Sequence, residues 1–89
     1  MTSFVVDTKA QARDVSFSKD ELTVALVDGR RVTVPLAWFP RLLRASQADR
    51  GNWELLGSGE GIRWPGLDED ISVSGLLAGT PAVEAPRKS

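Results

Sequence analysis

Histidine, cysteine and tyrosine are all missing from this 89-residue chain. Without them there is no Ser-His-Asp or Cys-His catalytic system, no zinc site of the usual ligands, no haem held by His or Cys, and no disulfide. A small chain without a disulfide staple fits a reducing compartment, so the expected location is cytoplasmic. Long apolar runs are missing too, which excludes a bilayer span and any membrane partner of that kind. The opening residues Met1-Thr2-Ser3-Phe4-Val5-Val6-Asp7 lack a basic start and a long apolar stretch, so they predict no secretory signal. Neither sign of charge dominates. Eleven Lys and Arg stand against twelve Asp and Glu, a net charge of −1, which supplies no global attraction for nucleic acid or anionic membrane.

What is present describes one small folded domain. The length allows a single core, and a chain this short buries only about 60% of its unfolded surface. Hydrophobic residues at 42% and charged residues at 26% are near the averages of folded domains. Residues 1–12 show no clear period and read as a flexible lead, with Phe4-Val5-Val6 a candidate edge strand. Residues 80–89 hold two prolines and little apolar bulk, and read as a disordered tail. The folded unit is expected over residues 13–79.

Its first half alternates with period two, the mark of half-buried strands. Val15 and Phe17 form one row, Leu22, Val24 and Leu26 the next, and Val32, Val34 and Leu36 the third. Facing Phe17 with Leu22 and Val15 with Val24 puts these side chains on one face. A two-residue Asp28-Gly29 loop would place the second and third rows on opposite faces, which a one-sided core forbids. A three-residue loop, Val27-Asp28-Gly29, pairs Val24 with Val32 and Leu22 with Val34, with Gly29 as its left-handed residue. The product is an antiparallel three-stranded meander.

Its apolar face needs a cover. A helix starting near Trp38 supplies one, with Pro40 tolerated in the first turn. Trp38, Phe39, Leu42, Leu43 and Ala45 fall on one side, and Pro40, Arg41 and Arg44 on the other. Ser46 with Asp49 three residues on resembles a capping box for a short turn ending at Gly51. Then Trp53-Glu54-Leu55-Leu56 and Ile62-Arg63-Trp64 flank a glycine-rich connection and predict a hairpin, with Leu55 facing Ile62 and Trp53 facing Trp64. Ser72 caps a helix from Val73 to Ala78 closed by Gly79. Ile71 and Leu76 form a hydrophobic staple on it, and Val73, Leu76 and Leu77 a buried stripe. The fold class is α+β: a small meander covered by a short helix, a second hairpin and a short C-terminal helix.

Few constellations carry chemistry. Gly57-Ser58-Gly59-Glu60-Gly61 lacks the following helix and the Lys of a phosphate loop, and Glu60 would repel phosphate, so it reads as a mobile hairpin turn. Asp68-Glu69-Asp70 is the densest acidic cluster. It does not match the twelve-residue calcium loop, and acids just before a helix are favoured by its dipole. Its functional reading is an anionic patch for a basic partner. Glu54 or Glu60 with Asp68 could serve as an acid–base pair for sugar hydrolysis, but a chain this small has little room for a sugar cleft. Arg30, Arg31, Arg41, Arg44 and Arg63 are candidates for a nucleic-acid face, though the helix contributes only two of them. Trp38, Trp53 and Trp64 are either a binding platform or core bulk. At least two belong to the core, and Trp38, at the edge of the helical stripe, is the one expected to be partly exposed.

Several motifs occur in order: Asp28-Gly29-Arg30, Val34-Pro35-Leu36-Ala37-Trp38-Phe39-Pro40-Arg41-Leu42, Asn52-Trp53, Gly61-Ile62-Arg63-Trp64-Pro65, Leu67-Asp68-Glu69-Asp70-Ile71-Ser72-Val73 and Gly75-Leu76-Leu77. This series, over about residues 13–79, resembles the bacterial family called domain of unknown function 2442. Arg63 stands where many relatives carry His. The resemblance implies a small α+β fold without an established activity. It also implies two associations seen in some relatives: a neighbouring gene for another short protein, as in toxin–antitoxin pairs, and fusion to a helix-turn-helix domain.

The expected function is therefore a non-enzymatic protein–protein interaction module, the antitoxin-like or regulatory member of a small gene pair. Its expected partner is another small protein, bound through Trp38, Arg41, Arg63, Asp68, Glu69 and Asp70. The alternatives are a small DNA-associated transcriptional regulator and a carboxylate-based hydrolase or metal-binding enzyme. No catalytic residue, cofactor or metal is expected. Self-association through an exposed strand edge is left open.

Overall fold

The computed structural model describes residues 10–79. Residues 1–9 of the lead expected at 1–12, including the Phe4-Val5-Val6 strand, and the tail expected at 80–89 lie outside the described residues. Residues 10–12 are described, and Ala12 opens the first strand with its side chain in the core.

Three strands, β1 (Ala12–Phe17), β2 (Glu21–Leu26) and β3 (Arg31–Pro35), form the meander in the order β1-β2-β3. The registers are those the apolar rows demand. Phe17 faces Leu22, Val15 faces Val24, Val24 faces Val32 and Leu22 faces Val34. The β2–β3 loop is three residues long. The Leu26 N–H donates to the Arg30 carbonyl at 2.8 Å, and Gly29 takes a φ of 97°. A left-handed residue there keeps both apolar rows on one face, which is why a glycine occupies it.

The covering segment departs from a single helix. Leu36–Trp38 forms a 3-10 turn, Phe39 leaves helical backbone at φ −130° and ψ 82°, and α1 (Pro40–Leu43) starts with Pro40 as its first residue. The residue before a proline is pushed out of helical backbone, so the break falls on Phe39. Leu36, Phe39 and Leu42 are buried by this geometry, while Leu43, expected in the apolar stripe, is turned to solvent. Next, α2 (Gln47–Gly51) opens on Ser46, whose Oγ accepts from the Asp49 N–H at 3.1 Å.

The second half is a second three-stranded antiparallel sheet, β4 (Glu54–Leu56), β5 (Gly61–Trp64) and β6 (Glu69–Ser72). Leu55 faces Ile62, as the alternation requires. Trp53 lies outside the ladder and packs against the core instead of facing Trp64. β6 was not expected. A 3-10 turn at Pro65–Leu67 and a left-handed Asp68 (φ 53°) reverse the chain so that Ile71 faces Ile62. Asp68 therefore precedes a strand, Glu69 and Asp70 lie within it, and the first turn of the C-terminal helix contains no acid.

That helix, α3 (Val73–Ala78), has the expected bounds. Ser72 Oγ accepts from the Gly75 N–H at 2.9 Å and Gly79 closes it in the left-handed region. Val73, Leu76 and Ile71 are buried, and Leu77 is exposed, so the stripe is narrower than read from the sequence. Replacing the cap, Ser72→Ala, is expected to lower stability by about 1 kcal/mol, measured by urea denaturation.

One core joins both sheets. Leu22, Val24, Leu26, Leu36, Leu42, Ile62, Trp64 and Val73 are almost wholly enclosed. The β4–β5 connection forms the seam between the sheets. The Ala12 N–H donates to the Gly59 carbonyl at 2.7 Å, and the Val73 N–H donates to the Glu60 carbonyl at 2.9 Å. This glycine-rich turn, expected to be mobile, is held at Gly59 and Glu60 by backbone hydrogen bonds from β1 and α3.

Candidate functional site

The six residues singled out from the sequence separate into one cluster and one outlier. Strand alternation divides Asp68-Glu69-Asp70. Glu69 faces Trp64 across the ladder and is buried at 7% exposure, whereas Asp70 faces Arg63 on the outer side. Asp68, in the left-handed turn, projects its carboxylate into solvent.

Two arginines bind these groups. Arg63 Nη1 donates to Asp70 Oδ1 at 2.7 Å, and Arg63 Nη2 to Asp68 Oδ1 at 3.4 Å. The Asp70 hydrogen bond and charge, with a smaller contribution from Asp68, raise the Arg63 pKa above its ordinary value. Arg41 reaches the same corner from α1. Its Nη1 donates to the Asp68 carbonyl at 2.6 Å and lies 3.6 Å from Glu69 Oε1. The expected outward face of Arg41 is thus an internal brace. The Phe39 break aims α1 at the β6 corner, and Arg41 supplies the counter-charge that a buried carboxylate needs. Trp38 is half-buried against the core, away from full exposure. Of the other tryptophans, Trp64 is fully enclosed and Trp53 partly so.

Viewed by faces, the outer side of the second sheet carries Glu54 and Leu56 from β4, Arg63 from β5, and Asp70 and Ser72 from β6. Glu54, Arg63 and Asp70 lie directly opposite one another in an acid–base–acid row. Leu56 sits beside that row at 37% exposure, its side chain over Gly61. All of β4 is exposed, although two of its three residues are leucine.

The Ser58 N–H in the glycine turn already donates to Glu60 Oε1 at 2.8 Å, so the loop's own carboxylate occupies it. Among the described residues, no group of three or more His, Cys, Asp or Glu side chains converges as a metal cage. Three of the five arginines read as a nucleic-acid face are bound to acids: Arg30 to Asp28 at 2.8 Å, and Arg41 and Arg63 as above.

Arg50 escaped the sequence reading. Its Nε and Nη2 donate to the Leu42 and Leu43 carbonyls, both at 2.9 Å, satisfying the end of α1. Its guanidinium carbon lies 5.6 Å from the Phe17 ring centroid, and its own carbonyl accepts from Trp64 Nε1 at 3.0 Å. Nothing in the local sequence marks these contacts, which join four separate segments.

With this geometry in hand, comparison with known proteins is decisive on family. The model of the family described as "Protein of unknown function (DUF2442)" matches residues 12–82. The chain belongs to that family. The matched span opens on the first residue of β1 and runs past α3. A crystal structure of a protein of unknown function from Rhodospirillum rubrum is similar at 29% identity and a TM-score of 0.73, covering 88% of this chain and 96% of that one. The solution structure of an uncharacterised protein from Chromobacterium violaceum is similar at 23% identity and a TM-score of 0.69, covering 82% and 69%. The second likeness is one of fold alone. No curated protein matches significantly. Neither the family nor these structures point to an enzymatic activity. Among the described residues, no helix is long and apolar enough to cross a membrane.

Proposed function

We propose that this domain is a protein–protein interaction module whose partner is another small protein, in the manner of the regulatory or antitoxin-like member of a gene pair. The observation that carries this reading is the outer face of the second sheet. Leu56 stands exposed beside the row of Glu54, Arg63 and Asp70, an apolar contact flanked by charge. Protein interfaces share that layout. Arg63, Asp68 and Asp70 act as the charged rim, and Arg41 and Glu69 brace the corner beneath it. The open β4 strand beside this face supports the same reading, because exposed apolar edges are ordinarily paired or covered. The absence of His, Cys and Tyr adds weight against catalysis as the purpose of the fold. The DNA-associated reading draws less support, since acids neutralise three of its five arginines.

The test is affinity capture of the full chain at native expression, beside a Leu56→Asp variant whose melting curve matches the wild type. Wild type is expected to retain one protein in stoichiometric amount, and the variant to retain about tenfold less. A wild-type chain that retains no stoichiometric partner overturns the reading. So does a variant that retains it undiminished.

A further inference from the structure

A groove of about 460 Å³ runs between β1 and α2, on a different part of the molecule from the face just described. One wall is the run Val15, Ser16, Phe17, Ser18 and Lys19, and the other is Gln47, Arg50 and Gly51. Its volume falls within the range of about 300–1,000 Å³ common to ligand clefts. Among the described residues, β1 is an edge strand in the ladder, paired by β2 on one side and met on the other at Ala12 by the Gly59 carbonyl, which leaves the Val15–Phe17 stretch of that edge beside the groove.

The hydrogen-bond phase of β1 sets what this edge offers. The Ser18 N–H donates to the Glu21 carbonyl at 2.9 Å, next to the Phe17–Leu22 and Val15–Val24 pairs. Bonded and non-bonded pairs alternate along an antiparallel ladder. Phe17 and Val15 are therefore non-bonded positions, with N–H and C=O groups aimed away from β2 along the groove wall. An extended backbone laid in the groove meets those groups as an added strand would.

Charge selects the occupant. The lining holds Lys19 and Arg50 and no acid, in a chain whose net charge is −1. Arg50 uses Nε and Nη2 for the α1 carbonyls, and neither bond draws on Nη1. Asp49, the acid nearest Arg50 in sequence, approaches Gly66 instead, within 3.4 Å of where a side chain there would begin. The Phe17 ring beneath the guanidinium supplies an apolar floor. We infer that this groove binds an extended acidic peptide segment of a partner protein, which adds a strand to β1 and sets its carboxylates against Lys19 and Arg50.

The probe is an acetylated hexapeptide, Thr-Glu-Val-Glu-Val-Thr, added to the isotope-labelled full chain and followed by amide NMR. Its controls are the same peptide with lysine for glutamate and the same peptide N-methylated at alternate residues. Binding is expected to shift the Val15 and Phe17 amides and the Arg50 Nε–H. It is expected to weaken as salt rises from about 0.05 to about 0.5 M and to fall about fivefold in Lys19→Glu, an exposed residue outside the core. Either control peptide binding as well as the acidic one overturns the inference. Shifts confined to other residues overturn it too. An oligothymidine strand that occupies the groove more tightly makes it a nucleic-acid site. Concentration-dependent shifts at the same amides without peptide assign the edge to a second copy of the chain. Either of these last results also overturns the inference.

Discussion

Trp64→Ala is expected to lower the stability of this domain by about 3–5 kcal/mol, the usual range for emptying a buried aromatic site. Trp64 has no exposed surface, so truncation leaves a cavity at the junction of both sheets. Two further losses accompany the cavity. The Phe17 ring loses its edge-to-face partner, 6.3 Å away at 71°. The Arg50 carbonyl loses the indole N–H that reaches it at 3.0 Å. Domains of this size sit near the lower end of the roughly 5–15 kcal/mol range of folding stabilities, so the variant approaches complete unfolding. Urea denaturation followed by tryptophan fluorescence measures the loss, with Trp38 and Trp53 as remaining reporters. Trp64→Phe separates the contributions. It keeps most of the bulk, loses the hydrogen bond, and is expected to cost clearly less than Trp64→Ala. Equal losses in the two variants would sink the claim that cavity formation dominates.

Gly59→Ala is expected to cost about 2–4 kcal/mol, far more than a surface turn normally does. Two effects combine at this position. Its φ of 105° is a region that side-chain-bearing residues rarely adopt. A Cβ there would also lie 2.7 Å from the Ala12 carbonyl oxygen and 3.0 Å from the Ala12 nitrogen, backbone atoms that cannot rotate away. Relief requires separating the turn from β1, which breaks the 2.7 Å hydrogen bond between them. Two other glycines resolve these effects. Gly29 has a positive φ and open space, so Gly29→Ala reports the backbone strain alone. Gly51 has open space without a positive φ, and Gly51→Ala is expected to be neutral or slightly stabilising. The expected order of loss by urea denaturation is Gly59→Ala, then Gly29→Ala, then Gly51→Ala. Hydrogen exchange at the Ala12 amide should rise only in the first. A Gly59→Ala protein as stable as Gly29→Ala would remove the seam from the account.

These experiments probe contacts of unequal visibility in the sequence. The meander's pairing from Val15 to Val34 was legible, because period-two apolar rows and loop parity leave a single arrangement with all rows on one face, whereas the start of β1 at Ala12 and the register shift between Ala12 and Asp14 were not. The α3 boundaries were equally clear, since Ser72 and Gly79 act within a turn of their own positions. The cover over the core was only half legible. Phe39 and Leu42 were rightly placed inside and Leu43 was not, and the proline effect on Phe39 split one helix into a 3-10 turn and a short α-helix. β6 was hidden because its inward position is held by an acid, Glu69, where an alternating strand ordinarily shows an apolar residue.

Local sequence determined the family, the α+β class, most of the first sheet, the caps and the lack of His, Cys and Tyr. Tertiary structure alone decided how the charges are used. Asp68, Glu69 and Asp70 are adjacent in the chain, and only their pairing with β5 sends Glu69 inward to Arg41 and Asp70 outward to Arg63. Arg50 gains its role in the same way, by meeting the α1 carbonyls, the Phe17 ring and Trp64 across long stretches of chain. The physical reason is range. Turn geometry and strand alternation act over a few residues, whereas a salt bridge or a cation over a ring depends on which distant segments the core brings together.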